Sequence, residues 1–357
     1  MFSIDALPRT DVHDSARPLE AQITASPGRF RVLTGDRPTG PLHLGHYFGT
    51  LANRVRLQRA GVDLFIVIAD YQVFTDRDGV TGLSDTVHDL VLDYLAAGVD
   101  PDTTTIFTHS SVPALNQLVL PFLSLVTVGE LQRNPTVKAE AQAAANGHRG
   151  LSGLLFSYPV HQAADILFCG GNLVPVGRDQ LPHIEITRLI ARRFNERYAG
   201  GRTVFAEPEA MLSEAPVVLG ADGAKMSKSR GNAINLSDDE DRTAAVIKRF
   251  RTDSERTISY EPQRRPEVAG LLDLAALCLN RPAAGLAGEL GNQGSAALKA
   301  LVTEAVNDHL RPLRQRRREL AGDRAQLSRI LAEGNRRAGE IADRTLNRVR
   351  EAMGTTY

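Results

Sequence analysis

The chain has 357 residues, 42% of them hydrophobic, which is enough for one large or two smaller domains with a substantial core. Its 42 basic and 42 acidic residues give zero net charge, so overall charge indicates no nucleic-acid partner, although a local basic patch can still bind one. The chain has two cysteines, Cys169 and Cys278, and no Cys/His spacing typical of a zinc site or disulfide framework, so we predict no metal site and a reducing, cytoplasmic location.

The N-terminal segment, residues 1–28, is predicted to be a polar, mobile extension. It contains no apolar run of signal-peptide length, and it carries acidic residues early. Nothing in the chain approaches the length of a membrane span, so we expect no membrane partner.

Strands and helices are predicted to alternate from residue 29 onward. Strands are predicted for "RFRVLTG" (29–35), "DLFIVIAD" (63–70), "TTIFTHS" (104–110) and "NLVPVG" (172–177). Helices are predicted for 43–61, for 84–101 with Ser84 as N-cap, for most of 111–131, and for 157–169 and 178–200. This alternation predicts an α/β fold with a doubly wound, Rossmann-like parallel sheet over 29–232.

The pattern after residue 233 is helical and has almost no strand signal. The stretches 236–251, 266–279, 295–320 and 323–353 all follow the helical period. We therefore expect an all-helical C-terminal domain over 233–357.

The stretch "GDRPTGPLHLGH" (35–46) turns from the first strand into a helix. In a doubly wound sheet, ligands bind outside the carboxyl ends of the strands, and a glycine-rich turn lets phosphates approach the backbone and the helix N-terminus. His43 and His46 stand at that helix start with Gly45 between them, and their ring nitrogens can donate to phosphate oxygens. The stretch is therefore interpreted as a nucleotide-binding turn rather than a capped surface helix.

A second candidate phosphate site is the loop "GADGAKMSKSRGN" (220–232). Lys225 and Lys228 bracket Ser227 in a glycine-flanked loop. Such a loop can close over a triphosphate and neutralise charge as pyrophosphate leaves. The alternative is a solvated basic turn between domains.

These motifs resemble the two signatures of class I aminoacyl-tRNA synthetases, "HLGH" and "KMSKS". The stretches "GDRPTGPLHLGHY", "GELQRNP", "SYPVHQAADILF" and "VPVGRDQLPHIEITRLIARRFNERY" resemble tryptophanyl-tRNA synthetases of the bacterial type, in order, from about residue 30 to the C-terminus. The resemblance implies that L-tryptophan reacts with ATP to give tryptophanyl-adenylate and pyrophosphate, after which tryptophan is transferred to tRNA(Trp). The first step needs positioning and charge stabilisation but no protein nucleophile, with Mg²⁺ held on the phosphates mostly by water and ATP oxygens.

The resemblance also implies residue roles. His43, His46, Lys225 and Lys228 are the expected catalytic residues. The expected ATP-binding residues are Asp36, Arg37, Pro38, Thr39, Gly45, His46, Gly177, Arg178, Asp179, Val218, Lys225, Met226, Ser227, Lys228 and Ser229. Asp165 matches the acceptor of the indole N–H, and the other expected amino-acid-binding residues are Tyr158, Gln162, Gln180, Gln72, Leu33 and Val176. Three positions depart from the commoner family pattern, namely Gln72, Arg37 and Glu140, and they leave the affinities open.

Three alternatives remain open at this point. A tyrosyl-tRNA synthetase could hold a phenol with the same Tyr158, Gln162 and Asp165. A nucleotidyltransferase could use an H-x-G-H site, and a non-enzymatic paralogue could sense tryptophan or bind RNA.

The partners implied by the resemblance are tRNA(Trp) and a second copy of the chain, because family members are symmetric homodimers bridged by the tRNA. The helical region, expected to be a tRNA- or anticodon-binding domain, holds the basic run "RPLRQRRREL" (311–320) with five arginines. Such a run can bind phosphates or simply be a solvated face.

Overall fold

The structure, a computed structural model, describes residues 18–75, 81–146, 150–212 and 217–357. Its centre is a sheet of five parallel strands: β1 (Arg31–Asp36), β2 (Asp63–Ile68), β3 (Thr104–Thr108), β4 (Leu173–Val176) and β5 (Glu209–Leu212). The spatial order is β3-β2-β1-β4-β5. The order reverses beside β1, so the crevice outside the carboxyl ends of β1 and β4 is the point where such sheets bind ligands. The fold is thus the predicted doubly wound sheet.

The described ranges contain fifteen α-helices. They are α1 (Leu19–Ala25), α2 (Leu44–His46), α3 (Ala52–Arg59), α4 (Leu83–Ala97), α5 (Pro113–Gln117), α6 (Val119–Leu123), α7 (Val128–Arg133), α8 (Pro135–Asn146), α9 (Gly153–Phe168), α10 (Leu181–Tyr198), α11 (Glu240–Lys248), α12 (Pro266–Leu279), α13 (Ala283–Leu290), α14 (Gly294–Ala321) and α15 (Arg324–Met353). A π-helical stretch, Tyr47–Leu51, joins α2 to α3. No helix of the described part is both long and apolar enough to cross a membrane.

Two hydrophobic clusters cover the two faces of the sheet. Successive residues of one strand point to opposite faces, so Val32 joins one cluster and its neighbour Leu33 joins the other. The nearly continuous apolar run of β2 is buried for the same reason, since it contributes Ile66 to one face and Val67 to the other.

The helical C-terminal region packs directly on the sheet. Helix α15 lies against β3 so closely that a Cβ on Gly334 would stand 1.8 Å from the carbonyl oxygen of Ile106. Asn335 Oδ1 accepts a hydrogen bond from the Thr108 amide at 2.9 Å, and the Thr345 hydroxyl donates to the Phe168 carbonyl at 2.7 Å. The C-terminal helices therefore form part of the wall of the α/β unit.

Several local predictions differ from the structure. Helix α4 begins at Leu83 with Gly82 as its N-cap, so the prediction that Ser84 is the N-cap was wrong. Gly82 can start the helix because it adopts a positive φ of 73°. The segment 111–131 divides into three short helices: α5 ends at Gln117, α6 spans Val119–Leu123, and Thr127 begins α7 with a capping box to Glu130.

Four elements of the described part were not predicted, namely α1, α8, α13 and β5. Strand β5 is short and lies at the sheet edge, which leaves little apolar signal. Helix α1 occupies part of the segment predicted to be a mobile extension, and its Ile23 is buried in the core. The earlier part of that predicted extension, residues 1–17, lies outside the described residues.

Candidate active site

Two adjoining cavities open at the carboxyl ends of β1 and β4. The first has a volume of about 380 Å³ and the second about 620 Å³. They share a wall that includes Thr34, Asp36 and Arg54 on one side and Val176 and Gly177 on the other. The two cavities therefore form one cleft with two compartments.

The first compartment is lined by all seven residues predicted to bind the amino acid. They come from β1, β4, helix α9 and the turns that follow β2 and β4, and they are Leu33, Gln72, Tyr158, Gln162, Asp165, Val176 and Gln180. Gln162 and Asp165 are three residues apart on α9 and therefore face the cavity together. The walls combine apolar and polar side chains, as a site for an aromatic amino acid requires.

Asp165 is a buried carboxylate in this compartment, with 3% of its surface exposed. His109, at the end of β3, places Nε2 2.9 Å from Asp165 Oδ1, although the two atoms are not aligned as a hydrogen bond. The His161 ring stacks 4.3 Å from the His109 ring, and its Nε2 lies 2.9 Å from Asn116 Oδ1. A carboxylate buried in this way is suited to accept a hydrogen bond from a ligand.

Tyr158 and His183 form a second polar pair behind this compartment. The Tyr158 hydroxyl lies 3.1 Å from His183 Nε2. Burial lowers the pKa of His183 to about 4, so its ring is neutral at neutral pH. Burial, together with the Glu140 carboxylate, raises the pKa of Tyr158 well above its ordinary value, so the hydroxyl keeps its proton.

The second compartment is lined by most of the residues predicted to bind ATP. These are Asp36, Arg37, Thr39, Gly45, His46, Gly177, Asp179, Val218, Lys225, Met226, Ser227 and Lys228, and the predicted catalytic residue His43 lines the compartment with them. Two predicted residues are not among its lining: Pro38 is buried, and the exposed Arg178 begins a short 3-10 turn beside it. The side chain of Ser229 lies outside the described part of the structure.

The two signature histidines are neutral rings packed against each other. Their centroids are 3.8 Å apart, and Gly45 permits this packing because a Cβ there would meet the His43 ring at 2.9 Å. Burial is the main cause that lowers the pKa of His43 to about 3 and that of His46 to about 4. His46 Nδ1 accepts a hydrogen bond from the His43 amide at 3.2 Å, which leaves the proton of the neutral ring on Nε2. The histidines can therefore donate hydrogen bonds to phosphate oxygens, while the positive charge comes from other residues.

The lysine loop is held by Asn232, a buried residue that sequence reasoning did not assign to the site. Its Oδ1 accepts from the Ser227 amide at 2.9 Å, and its Nδ2 donates to Asp222 Oδ1 at 2.7 Å and to the Lys225 carbonyl at 3.2 Å. Lys228 Nζ donates to the Gly40 carbonyl at 2.8 Å, so the loop touches the turn before "HLGH". Lys225 is exposed at the rim.

Arg54 is a second residue that sequence reasoning missed. It lines both compartments although only 2% of its surface is exposed. The sequence did contain a sign of its role. Arg54 lies three residues after Leu51 and directly before Val55, so it places a charge on the apolar face of the predicted helix. A buried charge of this kind requires a partner.

One group of side chains has the composition of a metal site. The potential ligand atoms of His109, His161 and Asp165 all lie within 4.8 Å of one another. Two ligands of one tetrahedral zinc ion stand about 3.3 Å apart at ordinary bond lengths near 2.0 Å. The 2.9 Å between His109 and Asp165 is shorter than that, so the geometry favours an imidazole–carboxylate pair.

The basic run of α14 is partly used inside the molecule. Arg316 Nε donates to the Ala96 carbonyl at 2.8 Å, and Arg317 Nε donates to Asp93 Oδ1 at 2.8 Å. Arg314 is buried and donates to the Thr243 hydroxyl at 2.6 Å. Three of the five arginines therefore hold α14 in place. Because these three are engaged within the molecule, the run as a whole fits a single tRNA-binding patch less well.

Comparison with known proteins places the chain among tRNA synthetases. A family model described as "tRNA synthetases class I (W and Y)" matches residues 25–311. The tryptophan–tRNA ligase of Treponema pallidum is 43% identical over 337 residues, which cover 91% of this chain and 96% of that protein. The tryptophan–tRNA ligase of Clostridium longisporum is 40% identical over 336 residues, with 91% and 97% covered.

Solved structures agree with these relatives. Tryptophanyl-tRNA synthetase from Campylobacter jejuni, complexed with ADP and tryptophan, matches with a TM-score of 0.79 at 32% identity. The match covers 91% of this chain and 100% of that one. Tyrosyl-tRNA synthetase from Archaeoglobus fulgidus, in complex with L-tyrosine, has a TM-score of 0.60 at 22% identity. The second likeness shows the shared fold alone.

Proposed function

The chain belongs to the class I tRNA synthetases of the tryptophan and tyrosine group, and on that basis we propose how its two compartments divide the reaction. Its activity is that of a tryptophan–tRNA ligase, which activates L-tryptophan with ATP and then charges tRNA. The first compartment takes tryptophan, and the second takes ATP. The observation that supports this assignment is the wall shared by the two compartments. With tryptophan in one compartment and ATP in the other, the carboxylate of tryptophan would lie beside the α-phosphate.

In the first step the tryptophan carboxylate attacks the α-phosphorus in line, and pyrophosphate leaves. No residue of the chain needs to act as a nucleophile, so catalysis rests on positioning and on charge stabilisation. His43 and His46 donate hydrogen bonds to phosphate oxygens. They do so as neutral rings, because burial lowers the pKa of both. Lys228 leaves the Gly40 carbonyl and joins Lys225 in neutralising the departing pyrophosphate.

Tryptophan is recognised at Asp165. The indole N–H donates to the buried carboxylate, whose other neighbour is His109. Gln162 and Tyr158 line the same compartment and serve as polar contacts, while Leu33 and Val176 form apolar walls beside the ring. A pocket that pairs an N–H rejects rings without one, because its acceptor is otherwise left unpaired.

Magnesium is proposed to arrive on the phosphates of ATP. The carboxylates that line the second compartment are already engaged, since Asp36 Oδ2 accepts from Arg54 and Asp179 Oδ2 accepts from Gln180 Nε2 at 2.8 Å. The described lining therefore does not form a carboxylate cage, and Mg²⁺ held by phosphate and water oxygens fits it better. Chelation is expected to stop adenylate formation and to leave tryptophan binding without ATP unchanged.

The partners of the second step are proposed to be tRNA(Trp) and a second subunit, in the cytoplasm. Leu120 and Val128, on neighbouring short helices, are 72% and 61% exposed, and a dimer contact would cover such apolar side chains. The helical region from 233 is proposed to contact the tRNA. Sedimentation of the free protein and of its mixture with tRNA(Trp) tests both assignments.

The test of the function is tryptophan-dependent exchange of pyrophosphate into ATP without tRNA. We expect exchange with tryptophan, far slower exchange with tyrosine, and none without Mg²⁺. A folded protein that exchanges with no amino acid would instead support the tryptophan-sensing alternative. Faster exchange with tyrosine than with tryptophan would overturn the assignment of the pocket.

A direct binding test is available because the chain contains no tryptophan of its own. All indole fluorescence in a mixture therefore comes from the ligand. Titration of free tryptophan with the protein is expected to shift its emission, and Asp165→Ala is expected to weaken the binding. Gly339→Ala, on an open part of α15, provides a control that leaves the site untouched.

A further inference from the structure

A buried ion pair forms part of the wall shared by the two compartments. Arg54 Nη1 donates to Asp36 Oδ2 at 2.6 Å, and the Tyr94 hydroxyl donates to the same oxygen at 2.7 Å. Side-chain exposure is 3% for Arg54 and 13% for Asp36. Both residues line both compartments, whereas Tyr94 is fully buried behind them.

The Arg54 guanidinium also fixes the end of β1. Its Nε donates to the Thr34 hydroxyl at 3.1 Å, and its Nη2 donates to the Gly35 carbonyl at 3.3 Å. One side chain on α3 thus holds three consecutive residues at the carboxyl end of the strand. The last of them, Asp36, opens the turn that carries the predicted ATP-binding side chains.

Stability alone gives little reason for a charge pair in this place. The cost of removing two charges from water approaches or exceeds their attraction, so a buried pair is often no more stabilising than apolar residues of the same volume. Asp36 alone would also place a negative charge in the wall of a compartment that must take a triphosphate. Burial by itself raises the pKa of Asp36, yet the Arg54 guanidinium lowers it to about 2, so the carboxylate stays charged.

We propose that Arg54 is a positioning residue for adenylate formation: it holds the end of β1 in place, and its charge cancels that of Asp36 so that the triphosphate meets a neutral wall. The inference rests on the proposed ATP compartment. It assigns to Arg54 an effect on ATP rather than on tryptophan, because tryptophan enters as a zwitterion without net charge.

The test is a cycle of three variants, Arg54→Met, Asp36→Asn and the double variant, measured by pyrophosphate exchange. Arg54→Met leaves the Asp36 charge uncompensated and is expected to raise the KM for ATP on the order of tenfold, with a much smaller change for tryptophan. Asp36→Asn removes the negative charge but also alters a side chain that lines the ATP compartment, so it is expected to raise the KM for ATP less than Arg54→Met does. The double variant is expected to bring the KM for ATP to within about threefold of that of Asp36→Asn, because no uncompensated charge then remains.

The matched control is Arg31→Met. Arg31 lies at the other end of β1 and pairs with Asp63 at 2.6 Å, away from both compartments. Arg31→Met is expected to lower stability without changing the KM for ATP. The comparison separates the general effect of losing an ion pair from the specific effect of losing the Arg54–Asp36 pair. Urea unfolding of every variant shows which of them are folded.

Three results would overturn the inference. One is an unchanged KM for ATP in a folded Arg54→Met variant, and another is a double variant as impaired as that single variant. The third is an Arg31→Met variant with the same rise in KM. If Arg54→Met does not fold, the double variant still decides, because its KM for ATP must stay within about threefold of that of Asp36→Asn. Absence of exchange in the wild type would instead refute the proposed function.

Discussion

The close contact between α15 and β3 predicts a large effect of one methyl group. In Gly334→Ala the new Cβ would stand 1.8 Å from the Ile106 carbonyl oxygen, 2.7 Å from its carbonyl carbon and 3.0 Å from its nitrogen. All three neighbours are backbone atoms in the middle of a buried strand, so no side chain can swing away. The helix and the strand must separate by more than an ångström, against the hydrogen bond from the Thr108 amide to Asn335.

The magnitude follows from two opposing terms. Overpacking of a well-packed interior costs roughly 1–3 kcal/mol and more where backbone must move. Alanine in place of glycine in a helix contributes about 1 kcal/mol in the opposite direction. Because backbone must move here, we take the upper end of the first term, about 3 kcal/mol, and expect a net loss of about 2 kcal/mol in the free energy of unfolding. Tryptophan affinity is expected to fall as well, because His109 follows β3 directly and contacts Asp165.

The control is Gly339→Ala in the same helix, where an added Cβ meets nothing within 4 Å. This variant is expected to be more stable than the wild type by up to about 1 kcal/mol. Urea unfolding followed by circular dichroism measures both variants, and tryptophan titration reports on the site. A Gly334→Ala variant as stable as Gly339→Ala would refute the close packing of α15 on β3.

Other predictions concern the site itself. Lys228→Ala is expected to lower the rate of adenylate formation roughly 10²–10³-fold and to weaken ATP binding much less, whereas a change in ATP requirement alone would make Lys228 a binding residue. Asp165→Ala is expected to raise the KM for tryptophan roughly 10–100-fold with little change for ATP, and equal changes for both substrates would contradict indole recognition. His183 has a folded pKa of about 4, below its ordinary value, so stability is expected to fall as pH drops from about 6.5 toward 4. His183→Gln should reduce that slope by at most about 1.4 kcal/mol per pH unit, and an unchanged slope would show that His183 does not contribute.

The fold and the chemistry of the cleft could be predicted from the sequence because both depend on local patterns. The apolar run of β2 and the glycine-rich turn before His43 each reflect the neighbours of one short segment. The two signature motifs stand about 180 residues apart, yet the carboxyl-edge rule for parallel sheets brings them to one crevice.

Features that depend on distant partners were not predictable in the same way. Nothing in the α4 sequence shows that Gly82 precedes the helix instead of Ser84, because serine is the residue type that commonly caps a helix N-terminus. The roles of Arg316 and Arg317 required knowledge that α14 lies against α4, and a basic run alone looks the same on a solvated face. Arg54 gave a signal as a charge on an apolar face, but its partner Asp36 became known only from the three-dimensional arrangement.

The strand order also bears on how the chain acquires its fold during synthesis. β1 pairs with β4 through Val32 and Leu173, and the outer surface of β3 is covered by α15, whose Gly334 stands 228 positions after Ile106. Contacts of such long sequence separation form slowly, because a large loop must close before they contribute. A nascent chain made from the N-terminus at about 5–20 residues per second therefore holds β3 uncovered for ten seconds or more. A ribosome-bound chain in which β3 is still uncovered presents an unpaired strand edge, and such edges are where partly folded chains aggregate or bind chaperones.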